Sequence, residues 1–599
     1  MEDVSISSQL KSTSLTVLSH TGSHSACLHG ARLQIRCLTT FEIVRNIALP
    51  SSHNARASQI AWSPPALPAA STPLRSSPKP LAQSNRVLVS DEDTTRVFDL
   101  RDEKWTATVS NGSGGMGKNV HVQFGVSEDE VVVWSDFCAA VKIWNLRSGR
   151  SVEIRDPKFI GKENRGWGLK PASEQPGQTR AGGVVALLCR TSGADVLLLL
   201  APHTYTTLNR IELHTTDAAG IKWSRDGRWL AVWDAPSAGY KLCIYTADGH
   251  LYRTITREPL DDASEWAIEG LGIKSVEWCP GNAWLAVGGW DRRVRILSTR
   301  TFAPAVYLDH TSAIDVPTAP VYTELVDGQG NRSYSLTPQP ATPPKATLEK
   351  NETGLMKTGI SLLTFNSEGT LCATRDDSTP STVWIWDLRS LRPRMILIQY
   401  APIKNLLWHP TDPTRLLIQT THDSPTVYLY TSSTLSASIS SSVPAPPPSI
   451  LDLSAHLSKP ANKVPAKWST AWLATPADKK PVLLLGHQQS ALLLWPDGKD
   501  VILRFDNEDD AQSDDSLYEI LTGKKAPPSR PDGGAGEEHE WSIMDEEMQS
   551  MIAEDMETEE QEYEMSLGSV GGLDDTFRSK RKLNGHGVDL GQSGMSEMF

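Results

Sequence analysis

The run from Gly112 to Lys118 is the segment whose residue types and spacing come closest to a chemical motif. Its sequence, G-S-G-G-M-G-K, matches the start of the phosphate-binding loop G-x-x-x-x-G-K. The next residue is Asn119 rather than Ser or Thr, so the hydroxyl that would bind Mg²⁺ is missing. The sequence after it, N-V-H-V-Q-F, predicts a strand where a phosphate loop needs a helix N-terminus. We therefore interpret the run as a glycine-rich connection, with a nucleotide-dependent enzyme as the alternative.

Other residues that could do chemistry lack partners at useful spacing. Asp376 and Asp377 are adjacent carboxylates, which can serve acid–base catalysis, but their position in a turn favours local hydrogen bonds. His310 and His409 follow predicted strand ends, where a turn or capping role is expected. Motifs of serine hydrolases, zinc proteases and zinc-binding cysteine pairs are missing from the sequence. The sequence thus predicts no enzymatic activity, no cofactor and no metal.

The elements that carry these residues repeat along the chain. G-I-K-W-S-R-D-G-R-W-L-A-V-W-D lies at 220–234, and G-I-K-S-V-E-W-C-P-G-N-A-W-L-A-V-G-G-W-D-R-R-V-R-I-L lies at 272–297. A third copy spans 359–388. Each consists of apolar strands separated by turns, and the first two copies begin with a strand that ends in Trp. This pattern is typical of blades of a WD40-like β-propeller and predicts an all-β fold, although the Gly-His pair common in WD repeats is missing from its expected place.

Nine blade-like units can be counted, and their divergence leaves seven to nine blades open. We favour one closed ring, because closure removes exposed sheet edges. Two smaller rings, or a seven-bladed ring with extra strands, are the alternatives. The units lie at 13–49, 60–99, 119–154, 182–213, 220–234, 272–297, 359–388, 402–431 and 466–505.

The chain divides into a propeller, residues 1–505, and a tail, residues 506–599. Segments rich in Pro, Ser, Thr, Gly or Lys interrupt the propeller, and we interpret them as inserted inter-blade loops, three of them disordered. The insertions lie near 64–84, 157–181, 317–352 and 432–465, of which all but 157–181 are the disordered ones. The tail holds 25 acidic and 7 basic residues and is predicted to be mostly disordered.

Composition restricts the class of partner. The net charge is −13, but the tail accounts for −18 and the remainder is mildly basic. No dense Lys/Arg stripe is present, so nucleic acid is not an expected partner. The sequence shows no secretory signal and no apolar run long enough to cross a membrane. Its 7 Cys are scattered, which is typical of reduced thiols in the cytoplasm.

Partner-binding residues are predicted at one rim and in the tail. Four residues lie at the ends of second strands or in the turns just after them, and those turns cluster on one face of a propeller. Trp and Arg are enriched in binding hot spots, but packing between blades is the alternative for the tryptophans. Three tail residues fall at near-helical spacing and predict a short helix that folds on a partner. The rim residues are Trp233, Trp290, Arg292 and Arg375, and the tail residues are Trp541, Met544 and Met548.

The sequence resembles one WD-repeat family in two blocks. The first runs from Gly220 to Glu324 and contains G-I-K-S-V followed by L-A-V-G-G-W-D-R-R-V-R-I-L. The second, Gly359–Trp408, contains A-T-R-D-D-S-T-P-S-T-V-W-I-W-D-L. These motifs are similar to those of the centrosomal and spindle-pole-body WD-repeat proteins. That resemblance implies anchoring of microtubule minus ends together with a coiled-coil anchoring protein and a kinesin-14 motor. It transfers no binding residue.

The leading hypothesis is therefore a non-enzymatic scaffold at the microtubule organising centre, in the cytoplasm and cytoskeleton, that supports mitotic spindle organisation. Rigid blades would display loops that contact several proteins at once. The alternative is a large propeller like that of a translation initiation factor, which binds RNA or the ribosome. That alternative requires a basic surface and a basic C-terminal extension, whereas this tail is acidic.

Overall fold

Short apolar runs bounded by turns form 39 strands and one 3₁₀ turn, Pro236–Ala238, in the described part of the computed structural model. The structure describes residues 4–66, 83–110, 117–136, 140–159, 165–171, 183–256, 272–346, 358–432, 445–457, 466–475 and 479–499. The strands are β1 (Ser5–Ile6), β2 (Leu10–Lys11), β3 (Val17–Leu18), β4 (His24–His29), β5 (Arg32–Cys37), β6 (Ile43–Ala48), β7 (Gln59–Trp62), β8 (Arg86–Ser90), β9 (Thr94–Asp99), β10 (Thr106–Ser110), β11 (Asn119–Phe124), β12 (Glu130–Ser135), β13 (Ala140–Asn145), β14 (Ser151–Arg155), β15 (Trp167–Leu169), β16 (Val185–Thr191), β17 (Ala194–Leu200), β18 (Thr207–Glu212), β19 (Ala218–Trp223), β20 (Trp229–Asp234), β21 (Lys241–Thr246), β22 (Leu251–Thr256), β23 (Ile273–Trp278), β24 (Trp284–Gly289), β25 (Arg293–Ser298), β26 (Pro304–Asp309), β27 (Val321–Val326), β28 (Arg332–Leu336), β29 (Ile360–Phe365), β30 (Leu371–Asp376), β31 (Thr382–Asp387), β32 (Arg392–Ile398), β33 (Ile403–Trp408), β34 (Arg415–Thr420), β35 (Thr426–Thr431), β36 (Ser449–Asp452), β37 (Ser469–Trp472), β38 (Leu483–Gly486) and β39 (Ser490–Trp495).

These strands form nine sheets, the blades of one β-propeller; all pairings are antiparallel except that of β27 with β32 in blade 7. Seven sheets have four strands, one has five and one has six. In seven blades consecutive strands pair as a four-stranded meander, while blade 7 adds a hairpin to its outer strand and blade 9 takes its outer strands from the N-terminal segment. Blades 1 to 6 hold β3–β6, β7–β10, β11–β14, β15–β18, β19–β22 and β23–β26, blade 7 holds β27–β32, blade 8 holds β33–β36, and blade 9 holds β37–β39 with β1 and β2.

Burial along the strands shows how each blade is oriented. Second and third strands are buried on both faces; β12, for example, is buried at every residue. Fourth strands such as β22 are mostly exposed, so they lie at the outer rim. First strands line the central cavities, one of which has a volume of 420 Å³ and is bounded by Leu18, Ile60, Phe124 and Trp167. The hydrophobic clusters lie between neighbouring blades.

Tryptophans at the ends of first strands join neighbouring blades. The indole N–H of Trp278 donates to the carbonyl of Lys222 in the preceding blade at 3.1 Å, and Trp408 donates to Thr364 at 3.2 Å. Trp62, Trp223 and Trp472 make the equivalent bond to the blade before their own. Each indole therefore buries its ring and satisfies its only donor across a blade junction.

The N-terminal strands close the ring. Ser5 and Ile6 of β1 pair with Trp495 and Leu494 of β39, and Leu10 pairs with Ala491. The last unit along the chain therefore supplies only three strands of blade 9, and the N-terminal segment supplies the outer ones. This pairing covers the otherwise free edge of β39, so the N-terminal segment and the last strands of the propeller meet in one sheet. The predicted single ring is confirmed, with nine blades.

Three segments predicted as inserted loops contain strands. The segment 157–181 includes β15, the first strand of blade 4, and 432–465 includes β36, the outer strand of blade 8. The segment 317–352 includes β27 and β28, a hairpin added to blade 7. The sequence pattern did not predict these strands, because each has only three to six residues and two to four apolar side chains and is flanked by segments rich in Pro, Ser or Gly. Most of 64–84 and all of 506–599 lie outside the described residues.

Candidate partner-binding face

The turns between second and third strands share one face of the ring, here called the turn face. It includes the turns at 290–292 in blade 6 and 377–381 in blade 7. Trp290 and Arg292 lie in the first of these turns, while Trp233 and Arg375 lie near the ends of β20 and β30. The structure therefore places these four residues at the strand positions predicted from the sequence.

A buried polar network connects blade 6 to blade 7 beneath the turn face. His310, which follows β26 of blade 6, lies 2.7 Å through Nε2 from the hydroxyl of Thr374 in blade 7. The indole N–H of Trp386 donates to the same hydroxyl at 2.8 Å. Asp376, two residues along β30, accepts from Arg292 Nε at 2.7 Å and from the backbone N–H of Gly359 at 2.9 Å. The network therefore connects β31 of blade 7 with the turns at 290–292 and 377–381. Through Gly359 it also holds the chain segment that leads into β29.

Burial and charge set the protonation of this network. Burial lowers the pKa of His310 to about 4, so the imidazole is neutral at physiological pH. Burial alone would raise the pKa of Asp376, but hydrogen bonds from Ser378 and the charge of Arg292 lower it overall. An ionised Asp376 and a neutral His310 are the forms that these partners favour. The adjacent carboxylates thus serve local structure, as the turn interpretation of Asp376 and Asp377 predicts.

A second set of side chains, Lys274, Trp290, Ser361, Arg375 and Asp377, lies at the same two turns. Lys274 Nζ lies 4.2 Å from the centre of the Trp290 ring and 2.5 Å from Asp377 Oδ2. The Ser361 hydroxyl donates to Asp377 Oδ1 at 2.6 Å. Arg375 also donates to Asp377 and reaches the carbonyl of Ile403 in blade 8. This set combines an aromatic ring with both signs of charge, a composition suited to recognition of a protein surface.

Gly359, which directly precedes β29, lies where the chain entering blade 7 packs against Trp290 of blade 6. Its backbone has φ 87°, and a Cβ there would lie 2.6 Å from the Cα of Trp290. Both the conformation and the close approach require glycine. The sequence G-I at the start of the third repeat therefore reflects a packing constraint between the two turns.

Trp233 lies apart from the other three predicted rim residues. Its ring rests on Gly220, where a Cβ would approach it to 2.6 Å. The ring lines a cavity of 520 Å³ in the centre of the propeller together with Ser275 and Ser361. The structure therefore brings Trp290, Arg292 and Arg375 together at one junction and turns Trp233 toward the channel.

The predicted rim residues are largely engaged inside the protein. Trp290 is 7% exposed, and the Arg292 side chain is 12% exposed. Within the described residues, Trp290 Nε1, Arg292 Nη2 and Arg375 Nε have no hydrogen-bond partner. Packing between blades therefore explains much of their chemistry, and contact with a partner stays a prediction. Trp541, Met544 and Met548 lie outside the described residues.

The phosphate-loop candidate leads into a strand. Gly117 and Lys118 are described, and Asn119 begins β11. The Lys118 ammonium lies 2.5 Å from Glu92 Oε2, and this hydrogen bond raises the pKa of the lysine. The Asn119 side chain donates to the carbonyl of Asp91 in blade 2 at 2.9 Å. Residues 117–119 thus join blades 2 and 3 and have no helix N–H groups behind them to bind a phosphate.

Sequence reasoning missed Lys274 and the role of His310. Lys274 follows the first residue of β23, and Lys404 holds the same place in β33, where its ammonium donates to the carbonyl of Trp468 at 2.7 Å. Both lysines therefore reach the next blade, and their recurrence after Ile was the available signal. His310 occupies the position of the histidine in the Gly-His pair of WD repeats. Because Asp309 rather than glycine precedes it, the sequence motif does not identify it.

Among the residues that the structure describes, no group of three or more His, Cys, Asp or Glu side chains could hold a metal ion. The same residues include no helix that could span a membrane.

Comparison with known proteins agrees with this architecture. Residues 268–298, which include the three inner strands of blade 6, match the family described as "WD domain, G-beta repeat". The fold is thus a nine-bladed WD-repeat β-propeller, an architecture that generally serves as a non-enzymatic, protein-binding scaffold.

Two curated relatives share part of the chain. The mouse "WD repeat-containing protein WRAP73" is 27% identical over 352 residues, which cover 54% of this chain and 69% of the relative. The fission yeast "Uncharacterized WD repeat-containing protein C32H8.09" is 25% identical over 297 residues, which cover 49% of this chain and 56% of the relative. The chain therefore has distant similarity to both of these WD repeat-containing proteins.

Solved structures show likeness of fold at low sequence identity. One is titled "Crystal structure of the eukaryotic initiation factor", with 11% identity, a TM-score of 0.40, and coverage of 70% of this chain and 86% of that one. Another is "Crystal Structure of Mitotic Checkpoint Complex", with 12% identity, a TM-score of 0.33, and coverage of 61% and 83%. At these TM-scores neither likeness bears on function.

Proposed function

We propose that this protein is a non-enzymatic scaffold at the microtubule organising centre that supports anchoring of microtubule minus ends and organisation of the mitotic spindle. The observation that carries the proposal is the motif G-I-K-S-V with L-A-V-G-G-W-D-R-R-V-R-I-L in blade 6, which resembles the spindle-pole WD-repeat family. Its partners would be a coiled-coil anchoring protein and, through it, a kinesin-14 motor. Its location would be the cytoplasm and the spindle pole body or centrosome.

The architecture suits a scaffold that binds proteins. Nine rigid blades hold the turn face in a fixed arrangement, so a partner pays little entropy to order it. At the blade 6–blade 7 junction, the partly exposed Lys274 and Asp377 side chains lie at that face, beside the buried Trp290 ring. A cation and a carboxylate in fixed positions can pair with the charged residues that flank the apolar seam of a coiled coil.

Affinity capture of the tagged protein from mitotic cells, followed by mass spectrometry, tests the proposal. We expect recovery of a coiled-coil spindle-pole protein together with a kinesin-14. Recovery of ribosomal subunits and initiation factors instead would overturn the proposal and favour the translation alternative.

A matched pair of lysine variants tests the turn face itself. Lys274→Ala removes the cation beside Trp290, whereas Lys404→Ala removes the lysine at the same strand position two blades further on. If the blade 6–blade 7 junction contacts the partner, Lys274→Ala reduces capture by about tenfold, the order expected for one hot-spot side chain, and Lys404→Ala leaves it unchanged. Equal capture by both variants would exclude this junction as the contact.

A further inference from the structure

The hairpin of β27 and β28 extends blade 7 beyond the four strands of an ordinary blade. β27 pairs in parallel with the outer strand β32, through Val321 with Ile396 and Thr323 with Ile398. β28 then pairs antiparallel with β27 and forms the new edge of the sheet. We propose that this edge is a docking site for an extended segment of a partner protein, which adds to β28 as a further strand. The proposal deepens the scaffold function and rests on it.

The hydrogen-bond phase of the hairpin shows which main-chain groups face outward. Thr337 N donates to Val321 O at 2.8 Å, and Asp327 N donates to Asn331 O at 3.0 Å. The main-chain groups of the odd-numbered residues of β28 therefore bond to β27, because groups that face the partner strand alternate with groups that face away along an antiparallel strand. The N–H and C=O groups of Tyr334 and Leu336 consequently point away from β27. Among the described residues, these main-chain groups have no hydrogen-bond partner.

The edge lacks the features that usually protect outer strands. Edges are commonly blunted by bulges, Pro, Lys or unpaired charge. Several fourth strands of this propeller have a register shift against their neighbour, among them β6, β18, β22 and β26, the last of which also begins with Pro304. β28 pairs with β27 without a shift, as β10, β14 and β36 do with their neighbours, and it contains no Pro or Lys. Its only charged side chain, Arg332, is engaged with Glu324 at 2.8 Å.

Buried contacts hold the hairpin rigidly against blade 8. The Glu324 carboxylate is buried and accepts from Arg332, from the hydroxyl of Tyr428 at 2.6 Å and from the backbone N–H of Tyr400 at 2.8 Å. On the same side of the hairpin, the Tyr322 hydroxyl donates to the carbonyl of Ala445 at 2.7 Å. A preorganised edge loses little entropy when a strand is added, so main-chain bonds contribute fully to affinity.

The two faces of the edge define the chemistry of the occupant. Tyr334 packs against the hydrophobic cluster between blades 7 and 8, and Leu336 lies on the same face of the strand with 56% of its surface exposed. The opposite face carries Ser333 and Ser335, because side chains alternate along a strand. The occupant is therefore an extended segment with apolar residues toward blade 8 and polar residues on the other side.

Proline and alanine variants at one position separate main-chain pairing from side-chain contact. Leu336→Pro removes an outward N–H without removing a bond to β27, because proline is tolerated on the solvent side of an edge strand. Leu336→Ala keeps the N–H and shortens the side chain. We expect Leu336→Pro to lower the amount of the principal captured protein about tenfold, since one main-chain bond is lost and the added strand is displaced, while Leu336→Ala retains it within about twofold.

Hydrogen exchange on the full chain supplies an independent readout. In the isolated protein, the amides of Tyr334 and Leu336 are expected to exchange quickly, whereas those of Ser335 and Thr337 are protected. In the purified complex, the exchange of the first pair is expected to slow by about tenfold or more, and that of the second pair to change little. If Leu336→Pro fails to fold, as judged by thermal melting, Leu336→Lys replaces it, because a lysine on the edge opposes strand addition.

Each result decides between defined outcomes. Retention of the captured spindle-pole proteins by Leu336→Pro overturns the docking edge and leaves the scaffold function standing. Capture of unrelated proteins that are lost in Leu336→Pro supports the edge and overturns the spindle-pole assignment. Amides 334 and 336 that are already protected in the isolated monomer would show that the chain covers its own edge. A wild-type dimer that Leu336→Pro converts to a monomer would show pairing with a second copy; either result overturns the partner assignment.

Discussion

The two sides of blade 7 join the ring by different means. On the side of blade 6, His310, Thr374 and Asp376 form a buried network with Arg292. On the side of blade 8, Glu324 of the inserted hairpin forms hydrogen bonds with Tyr428 in the third strand of that blade and with Tyr400 in the connection that leads to it. Each junction buries one carboxylate paired with an arginine, and each contains a histidine with a pKa lowered to about 4.

The difference lies in where the residues come from. Thr374, Asp376 and Trp386 belong to the repeat that forms the blade, so the first junction uses positions that every WD repeat can supply. Glu324 and Arg332 belong to a segment between two repeats, and their partner Tyr428 belongs to the next blade. A repeat therefore specifies the ordinary junction, while an insertion specifies a second one and leaves a new sheet edge exposed.

Asp376→Ala should have the largest effect, because it leaves Arg292 and the Gly359 N–H buried without their acceptor. Loss of one partner of a buried ion pair costs about 3–5 kcal/mol of the free energy of unfolding. Urea denaturation measures this loss. The adjacent Asp377→Ala is the control: its carboxylate and its partners Lys274 and Arg375 keep some contact with water, so we expect a smaller cost of about 1–2 kcal/mol. Equal costs for the two variants would contradict the assigned role of Asp376.

Glu324→Gln should weaken the hairpin junction by about 2–3 kcal/mol, because the amide keeps the size of the side chain but loses the charge that Arg332 and Tyr428 favour. Hydrogen exchange should then accelerate in β27 and β28 and stay unchanged at Thr374 and its neighbours. Faster exchange across the blade 6–blade 7 junction as well would show that the two junctions form one cooperative unit.

The two histidines make both junctions sensitive to acid. Burial lowers the pKa of His310 and of His422 to about 4, and Arg332 adds to the effect on His422. The unfolded chain binds these protons near its ordinary pKa of about 6.5, so the stabilisation is complete above that pH and is lost as the pH falls toward 4. Each histidine contributes a slope of up to about 1.4 kcal/mol per pH unit.

His310→Asn and His422→Asn should each make the dependence of unfolding free energy on pH shallower between pH 6.5 and 4, a range taken from the shifts above. Comparison of the two variants with the wild type at each pH separates the junctions. A slope that neither substitution changes would show that other groups bind the protons.

Trp408→Phe should have the smallest effect, about 1 kcal/mol, because it removes one hydrogen bond to the Thr364 carbonyl and keeps most of the ring contact. Trp278→Phe is the matched change between blades 5 and 6, where no inserted hairpin contributes. A smaller loss of thermal stability for Trp408→Phe than for Trp278→Phe would show that contacts of the β27–β28 hairpin also stabilise the blade 7–blade 8 junction. Equal losses would show that the first-strand tryptophans act independently.

Much of the propeller follows from local sequence pattern. The tryptophan at the end of β23, the glycine before β29 and the aspartate at the end of β30 each occupy a position that a WD repeat defines. The absence of a helix after Lys118 was also readable, because the residues that follow alternate as in a strand. Partner-binding residues were harder to predict from the sequence, because the positions of Trp290 and Arg292 fit both contact with a partner at the rim and packing between blades.

The sequence by itself determined the all-β class, the blade repeat and the turn positions, because alternation and turn chemistry act within a few residues. Only the tertiary structure decided which strand closes blade 9, where the hairpin 321–336 attaches, and that His310 reaches Thr374. Strand pairing is set by competition among distant edges, and Leu10 joins Ala491 only once the whole ring brings them together. Among the described residues, the same long-range choice left the edge of β28 unpaired.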